Sequence, residues 1–318
     1  MFFIAFHHKF KCFLKNRILI TGALGQLGEF FVKSLISNNN YVLATDIKEN
    51  KILDCDFEYF DILDEKRGDF LIKKYKINQI YNFAAILSAK GEQNPLSTWE
   101  INNTGFTNIA KLCLNNNIKK IFWPSSIAVF GRNSNLNLAT NDEPMLPETM
   151  YGVSKLACEK SMFYFNYKKI LDIRSIRFPG IVSNSKPGGG TTDYIVDMLY
   201  YAKQKKDYTC FLKQDTFLPM LHVDDAVDAS IKLMDCELNK ISLNQPYNIS
   251  SFETSPLLWQ KTIQSIGYDL NVNYKIDFRQ SIADSWPKKI NDSTLRNDIK
   301  WAPKFGDFDT AKNILESI

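Results

Sequence analysis

Tyr151 and Lys155 stand four residues apart in Tyr151-Gly152-Val153-Ser154-Lys155, a spacing that puts both side chains on one face of a helix. A free tyrosine, with a pKa of about 10, is a poor base near neutral pH. A neighbouring ammonium favours the phenolate and makes it a better one. Ser126, in Pro124-Ser125-Ser126-Ile127-Ala128-Val129-Phe130-Gly131, adds a hydroxyl that could orient a substrate oxygen. The three residue types suit removal of a proton from an alcohol. Tyrosine and lysine also meet at this spacing on exposed helices that do nothing, so their weight depends on the rest of the chain.

The rest of the chain carries a phosphate-binding signal. Gly22, Gly25 and Gly28 lie in Thr21-Gly22-Ala23-Leu24-Gly25-Gln26-Leu27-Gly28, between an apolar run and a segment where Leu27, Phe31 and Leu35 recur at helical spacing. The first glycine permits a tight turn, the second lets a pyrophosphate approach the backbone, and the third lets helix and strand pack closely. The helix N-terminus then offers free N–H groups and a positive dipole end. Leu24, Gln26 and Leu27 belong to the same expected contact surface. Asp46 ends the next strand, 18 residues beyond Gly28. A carboxylate there accepts from ribose hydroxyls and repels a 2′-phosphate, so NAD is expected over NADP, with Lys48 as the one nearby opposing charge. Asp61 and Ile62 are expected near the adenine, and the small Ala84 and Ala85 where a cofactor can lie against the backbone. A nicotinamide ring bound beside Tyr151 would add a positive charge that favours the phenolate. Lys155 can also hold the nicotinamide ribose.

These signals fall after strands. Residues 17–21, 41–45, 80–83, 121–123 and 171–178 read as strands separated by helix-like segments, the first helix stopped by Asn38-Asn39-Asn40. That alternation predicts βαβ units and a parallel sheet, with ligands at the carboxyl ends of its strands. After Phe178, Pro187-Gly188-Gly189-Gly190 is a flexible break followed by a mixture of short elements. The expected organisation is an N-terminal extension over 1–16, an NAD-binding domain over 17–178 and a substrate domain over 179–318. The segment near 218–235 is expected to return to the first domain.

Composition excludes several classes. The 318 residues are 45% hydrophobic and 23% charged, which is ordinary globular usage. A net charge of +4 leaves no electrostatic footprint for nucleic acid. No apolar run reaches the roughly 18 residues a membrane span needs. Six scattered cysteines without a CxxC pattern fit reduced thiols, and three histidines without clustering argue against a zinc site. A cytoplasmic location is expected, or a mitochondrial one if residues 1–16 are a targeting segment.

In order and spacing, the glycine loop, Ser126 and the Tyr151/Lys155 pair resemble the extended short-chain dehydrogenase/reductases. Longer stretches are similar to the L-threonine 3-dehydrogenases of that type: ITGALGQLGE (20–29), AAILSAKGEQNP (84–95), PSSIAVFG (124–131), PETMYGVSKLACE (147–159), RFPGIVS (177–183), PGGGTTDYIVDM (187–198), YTCFLKQDTFLPMLHVDDAV (208–227) and DFRQSIADSWPKKINDS (277–293). The resemblance runs from about residue 17 to the C-terminus. It implies an α/β fold, a Rossmann doubly wound parallel sheet with a smaller C-terminal substrate domain. It further implies oxidation of L-threonine at C3 with NAD to 2-amino-3-oxobutanoate, in threonine catabolism towards glycine. Tyr151 is then the base, Lys155 tunes it, and Ser126 stands where a threonine is common. Asn102 would support a relay water, and Ile181 would contact the nicotinamide end. Ser88, Thr191, Thr192 and Trp286 would touch the substrate. Gly188, Gly189 and Gly190 give backbone freedom to a segment expected to close over it. A homodimer through helices near 95–115 and 151–167 is also implied.

Two other readings remain. A nucleotide-sugar epimerase or dehydratase uses the same serine, tyrosine, lysine and NAD but needs a basic pocket for a diphosphate. Segment 179–217 offers glycines, Thr191, Thr192 and Asp193 rather than arginines. A dinucleotide-sensing protein without catalysis need not retain the base.

Overall fold

The first apolar run forms β1 (Arg17–Thr21), whose Ile18, Leu19 and Ile20 are at most 1% exposed. The computed structural model describes residues 15–49, 53–186 and 188–318. Expectations about a targeting segment in 1–14, and about Pro187, lie outside the described residues. After the glycine loop come α1 (Gln26–Ser37), β2 (Tyr41–Asp46), β3 (Asp56–Tyr59), α2 (Glu65–Tyr75) and β4 (Gln79–Asn82). Helix α1 ends where the asparagines begin: Asn38 caps it, Asn39 takes a left-handed φ of 61°, and Asn40 donates from its amide to the Leu35 carbonyl. Then follow α3 (Ser88–Gln93), α4 (Pro95–Trp99), a π-helical turn (Glu100–Thr104), α5 (Gly105–Asn115), β5 (Lys120–Phe122), β6 (Ser125–Ser126) and α6 (Met150–Tyr167).

Six parallel strands make the main sheet in the order β3-β2-β1-β4-β5-β7, with β7 spanning Asp172–Arg174. The chain winds outward both ways from β1 and β4. Their carboxyl ends therefore open a crevice at the switch in strand order, directly under the glycine loop. This is the Rossmann arrangement.

The single strand expected over 171–178 is two. Strand β7 pairs with β5, whereas β8 (Ile176–Phe178) pairs with β6 in another sheet. Trp123 still donates to the Arg174 carbonyl, and the pairing is interrupted at Pro124 and Ser175. Beyond the interruption the register is unchanged, with Phe122 opposite Arg174 and Ser125 opposite Arg177. Ser126 follows at the carboxyl end of this line, where it lines the crevice.

The remainder comprises β9 (Gly180–Val182), α7 (Tyr194–Lys203), β10 (Tyr208–Cys210), β11 (Leu218–His222) and α8 (Val223–Asp235). After them come β12 (Tyr247–Asn248), β13 (Phe252–Thr254), α9 (Pro256–Ser265), β14 (Val272–Tyr274), α10 (Arg279–Asp284), α11 (Ser293–Ile299) and α12 (Asp307–Ser317). Ala226, Ala229 and Leu233 of α8 join Ile18, Ile20 and Phe31 in one apolar core, as do Leu295 and Trp301 much later in the chain. A second core gathers α7, α9 and α12 around Trp259 and reaches Tyr151 and residues 127–130. Helix α6 thus begins in this second core, and its Cys158 and Met162 pack in a third.

Candidate active site

Thr149 accepts the N–H of Gly152 at its hydroxyl, 3.0 Å away, and so caps the helix that carries Tyr151 and Lys155. Both side chains point inward; Tyr151 is 9% exposed and Lys155 3%. The Lys155 ammonium donates to the Pro124 carbonyl at 2.7 Å and lies over the Trp123 ring at 4.5 Å. Burial pushes it down to about 8, with Cys158 and Glu159 opposing the fall. Burial also raises the Tyr151 hydroxyl to about 12, while Ser126 draws it back. An ammonium on the same helix face therefore does not by itself give a low-pKa tyrosine, because desolvation outweighs it. Ser126 Oγ accepts the Ala128 N–H at 3.2 Å, which fixes its direction.

A cavity of about 220 Å³ runs from the glycine loop to this helix. Gly22, Gly25, Gln26, Leu27 and Gly28 form one end, and Ser126, Tyr151 and Lys155 the middle. Ser88, Ile181, Thr191, Thr192 and Trp286 close the other side. Ser88 and Thr191, 103 residues apart in sequence, meet hydroxyl to hydroxyl at 3.2 Å. Leu24, Asp46, Asp61, Ile62 and Ala84 do not line this cavity.

Gly22 has φ +64°, and a Cβ on it would lie 2.8 Å from the Ala84 nitrogen. A Cβ on Gly28 would lie 2.4 Å from the Gly22 carbonyl oxygen, so helix and turn approach only because both lack side chains. Gly25 caps α1 with no side-chain hydrogen bond, and the first-turn N–H groups of α1 have no intrahelical acceptor. This uncapped end, facing a glycine-lined cavity, fits a dinucleotide pyrophosphate. Asp46, 8% exposed, accepts N–H groups from Leu24 and Lys48, both at 3.1 Å, and so braces the loop. Asp61 is half-buried and accepts the Leu63 N–H at 2.9 Å. Ile62 belongs to a third core cluster and packs against Gly105. Ala84 donates its N–H to Thr21 Oγ1 at 3.3 Å.

Asn102 sits in the π-helical turn. Its amide bonds both backbone groups of Ile86 and donates to Ser154 Oγ at 2.9 Å. The turn thus anchors the segment after β4 to α6.

Several site features carried no local signal. Gln26 reaches across the cavity to donate to Ser183 Oγ at 2.9 Å. Asp193 accepts the N–H groups of Gly189 and Gly190 at 2.8 and 2.7 Å, folding the glycine run into a held turn. Glu159 continues the spacing of Tyr151 and Lys155 by four more residues; that repeat was its only trace in the sequence.

Residues 18–250 match the model of the NAD dependent epimerase/dehydratase family. An uncharacterized epimerase/dehydratase of Staphylococcus saprophyticus is 38% identical over 312 residues, covering 95% of this chain and 97% of the relative. Among solved structures, a partial consensus L-threonine 3-dehydrogenase aligns with a TM-score of 0.92 at 36% identity, covering 95% of this chain and 98% of that one. A monomeric L-threonine 3-dehydrogenase from a metagenome aligns with a TM-score of 0.91 at 39% identity, covering 94% and 98%.

Proposed function

We propose, from the premise that this chain belongs to the NAD dependent epimerase/dehydratase family and is an NAD-dependent oxidoreductase, that its substrate is L-threonine, oxidised at C3 to 2-amino-3-oxobutanoate. The observation that carries the substrate is the cavity wall. Apart from Tyr151, its only ionisable side chains are Lys155 and Asp193, and no arginine lines it among the described residues. Beyond the helix end fitted to the cofactor's pyrophosphate, a second, substrate diphosphate would meet only Lys155 as a cation, whereas a small zwitterion meets hydroxyls and one charge of each sign. The likeness to L-threonine 3-dehydrogenases over nearly the whole chain supports the same reading.

Bound NAD supplies the acceptor for the hydride that leaves C3. The chain's own residues manage the proton and the geometry. Ser126 Oγ holds the C3 hydroxyl oxygen, and the Tyr151 oxygen takes its proton as the C–O bond becomes a carbonyl. Lys155 contributes a fixed positive charge beside the tyrosine. Ser88, Thr191, Thr192 and Trp286 enclose the substrate and keep water from the reacting carbon. Gly22, Leu24, Gly25, Gln26, Leu27, Gly28, Asp46, Asp61, Ile62, Ala84 and Ile181 are assigned to the cofactor. The product's passage towards glycine belongs to a later enzyme.

The test is NADH formation with L-threonine and, separately, with a UDP-sugar. Threonine-dependent NADH supports the reading. Conversion of the UDP-sugar without net NADH would make the protein an epimerase or dehydratase, and no turnover with either would leave a sensor.

A homodimer through α4, α5 and α6 is part of this proposal. Leu96 is 80% exposed there, and Trp99, Phe163 and Tyr167 are exposed on neighbouring turns. A monomer by light scattering would overturn it, and the metagenome relative is itself described as monomeric. A cytoplasmic location is likewise proposed; no helix among the described residues is long and apolar enough to cross a membrane.

A further inference from the structure

Glu159 lies one helical turn beyond Lys155 and two beyond Tyr151, on the face of α6 turned to the interior. Its carboxylate meets the fully buried Arg177 of β8 through two parallel contacts, Nε to Oε1 at 3.0 Å and Nη2 to Oε2 at 2.9 Å. Oε1 also accepts the Ser125 hydroxyl at 2.5 Å. Arg177 Nη1 donates to the Asn141 carbonyl and to Asn248 Oδ1. Ser125 and Arg177 are register partners in the β6–β8 pair. One carboxylate therefore ties α6 to both strands at the point where Ser126 and the Pro124 carbonyl face Tyr151 and Lys155. Burying an ion pair gains little stability compared with apolar packing, so what the pair holds in place matters more than its own energy.

We propose that Glu159 is a positioning residue for the oxidation: clamped by Arg177 and Ser125, it fixes Ser126 relative to Tyr151 and places a buried negative charge beside Lys155. The inference rests on the reading of Tyr151 and Lys155 as the proton-handling pair.

The groups around Lys155 leave few other sources of that charge. From its own helix come Tyr151, Cys158 and Glu159. The strands bring Arg177, already paired, together with Trp123 and the neutral Ser125 and Ser126; the π-helical turn brings Asn102 and Asn103. Burial raises the Cys158 thiol to about 12, so it is uncharged at neutral pH. Glu159 is then the one carboxylate near Lys155, and replacing it with an uncharged residue also leaves the Arg177 charge uncompensated, so Lys155 must lose its proton at lower pH.

The test compares wild type with Glu159→Gln, Glu159→Asp and Ser125→Ala. Lysine carbon-13 shifts are followed against pH, with Lys155→Met identifying the signal expected to titrate near 8. Glu159→Gln should lower that midpoint by about one pH unit, and Glu159→Asp should restore most of it. Turnover in Glu159→Gln should fall at least about tenfold, with its alkaline limb displaced in the same direction. Ser125→Ala, which removes the tie and keeps the charge, should lower turnover without moving the midpoint. An unmoved Lys155 midpoint in Glu159→Gln overturns the electrostatic role. Full turnover in Ser125→Ala overturns the positioning role, and that variant decides it even if Glu159→Gln fails to fold. The shift measurement needs no substrate, so absence of threonine turnover in wild type would sink the substrate reading alone.

Discussion

The side chains of Lys155 and Tyr151 share one buried helix face with no hydrogen bond between them: the ammonium lies 5.6 Å from the centre of the tyrosine ring and spends a donor on the Pro124 carbonyl 2.7 Å away. In the proposed mechanism the lysine therefore acts on the tyrosine through space, as a charge rather than as a hydrogen-bond partner. Burial works against both partners, raising the tyrosine to about 12 and lowering the lysine to about 8.

The sign of the pH dependence follows. A base works deprotonated, so turnover should climb as pH rises towards the tyrosine's pKa. It should bend over where Lys155 loses its proton, near 8. Tyr151→Phe should cut turnover about 10²–10⁴-fold while NAD still binds. A pH–rate profile on both proteins checks this, and near-full activity in the phenylalanine variant removes Tyr151 from the mechanism.

Asp46 has two jobs in the proposed site. Its carboxylate should repel a 2′-phosphate, and it already braces the Leu24 and Lys48 backbone. Asp46→Ala should therefore erode the preference for NAD over NADP and also weaken NAD itself, by about tenfold for a lost charge-assisted hydrogen bond. Kinetic constants with both cofactors measure it. Equal use of NADP and NAD by the wild type would remove the first role.

The glycine run before Thr191 is more constrained than a free hinge. Gly189 has φ +94°, which proline cannot adopt, and Asp193 holds the turn. Gly189→Pro should consequently lower the melting temperature as well as activity. Trp286 is 6% exposed, lines the cavity and also packs in the second core. Trp286→Ala should raise KM for threonine on the order of tenfold and lower Tm, because its core contacts are lost with its cavity contacts. An unchanged KM would make Trp286 structural only.

Thr149→Ala removes the cap of α6 and should destabilise the protein by about 1 kcal/mol, read by chemical denaturation. Thr149→Ser, which keeps the hydroxyl, should recover most of the loss.

What the sequence alone determined is what short-range rules govern. The glycine loop follows from backbone sterics over a few residues, α6 and its paired side chains from the helical repeat, and the parallel sheet from strands alternating with helices. NAD as the cofactor was legible for the same reason, since loop, helix start and Asp46 lie within one βαβ unit. The tertiary structure decided the rest. Leu171 to Phe178 alternates apolar with polar residues and reads as one strand, yet it is interrupted at Ser175, its first part pairing with β5 and its second with β6. Ser88 meets Thr191 across 103 residues, and Ser125, Glu159 and Arg177 converge from three elements. Strand order and crossover bring such residues together, and no local periodicity encodes them. The same holds for charge: spacing placed Lys155 near Tyr151, but burial, opposed by Cys158 and Glu159 at the lysine and by Ser126 at the tyrosine, set the direction in which each is displaced from its ordinary pKa.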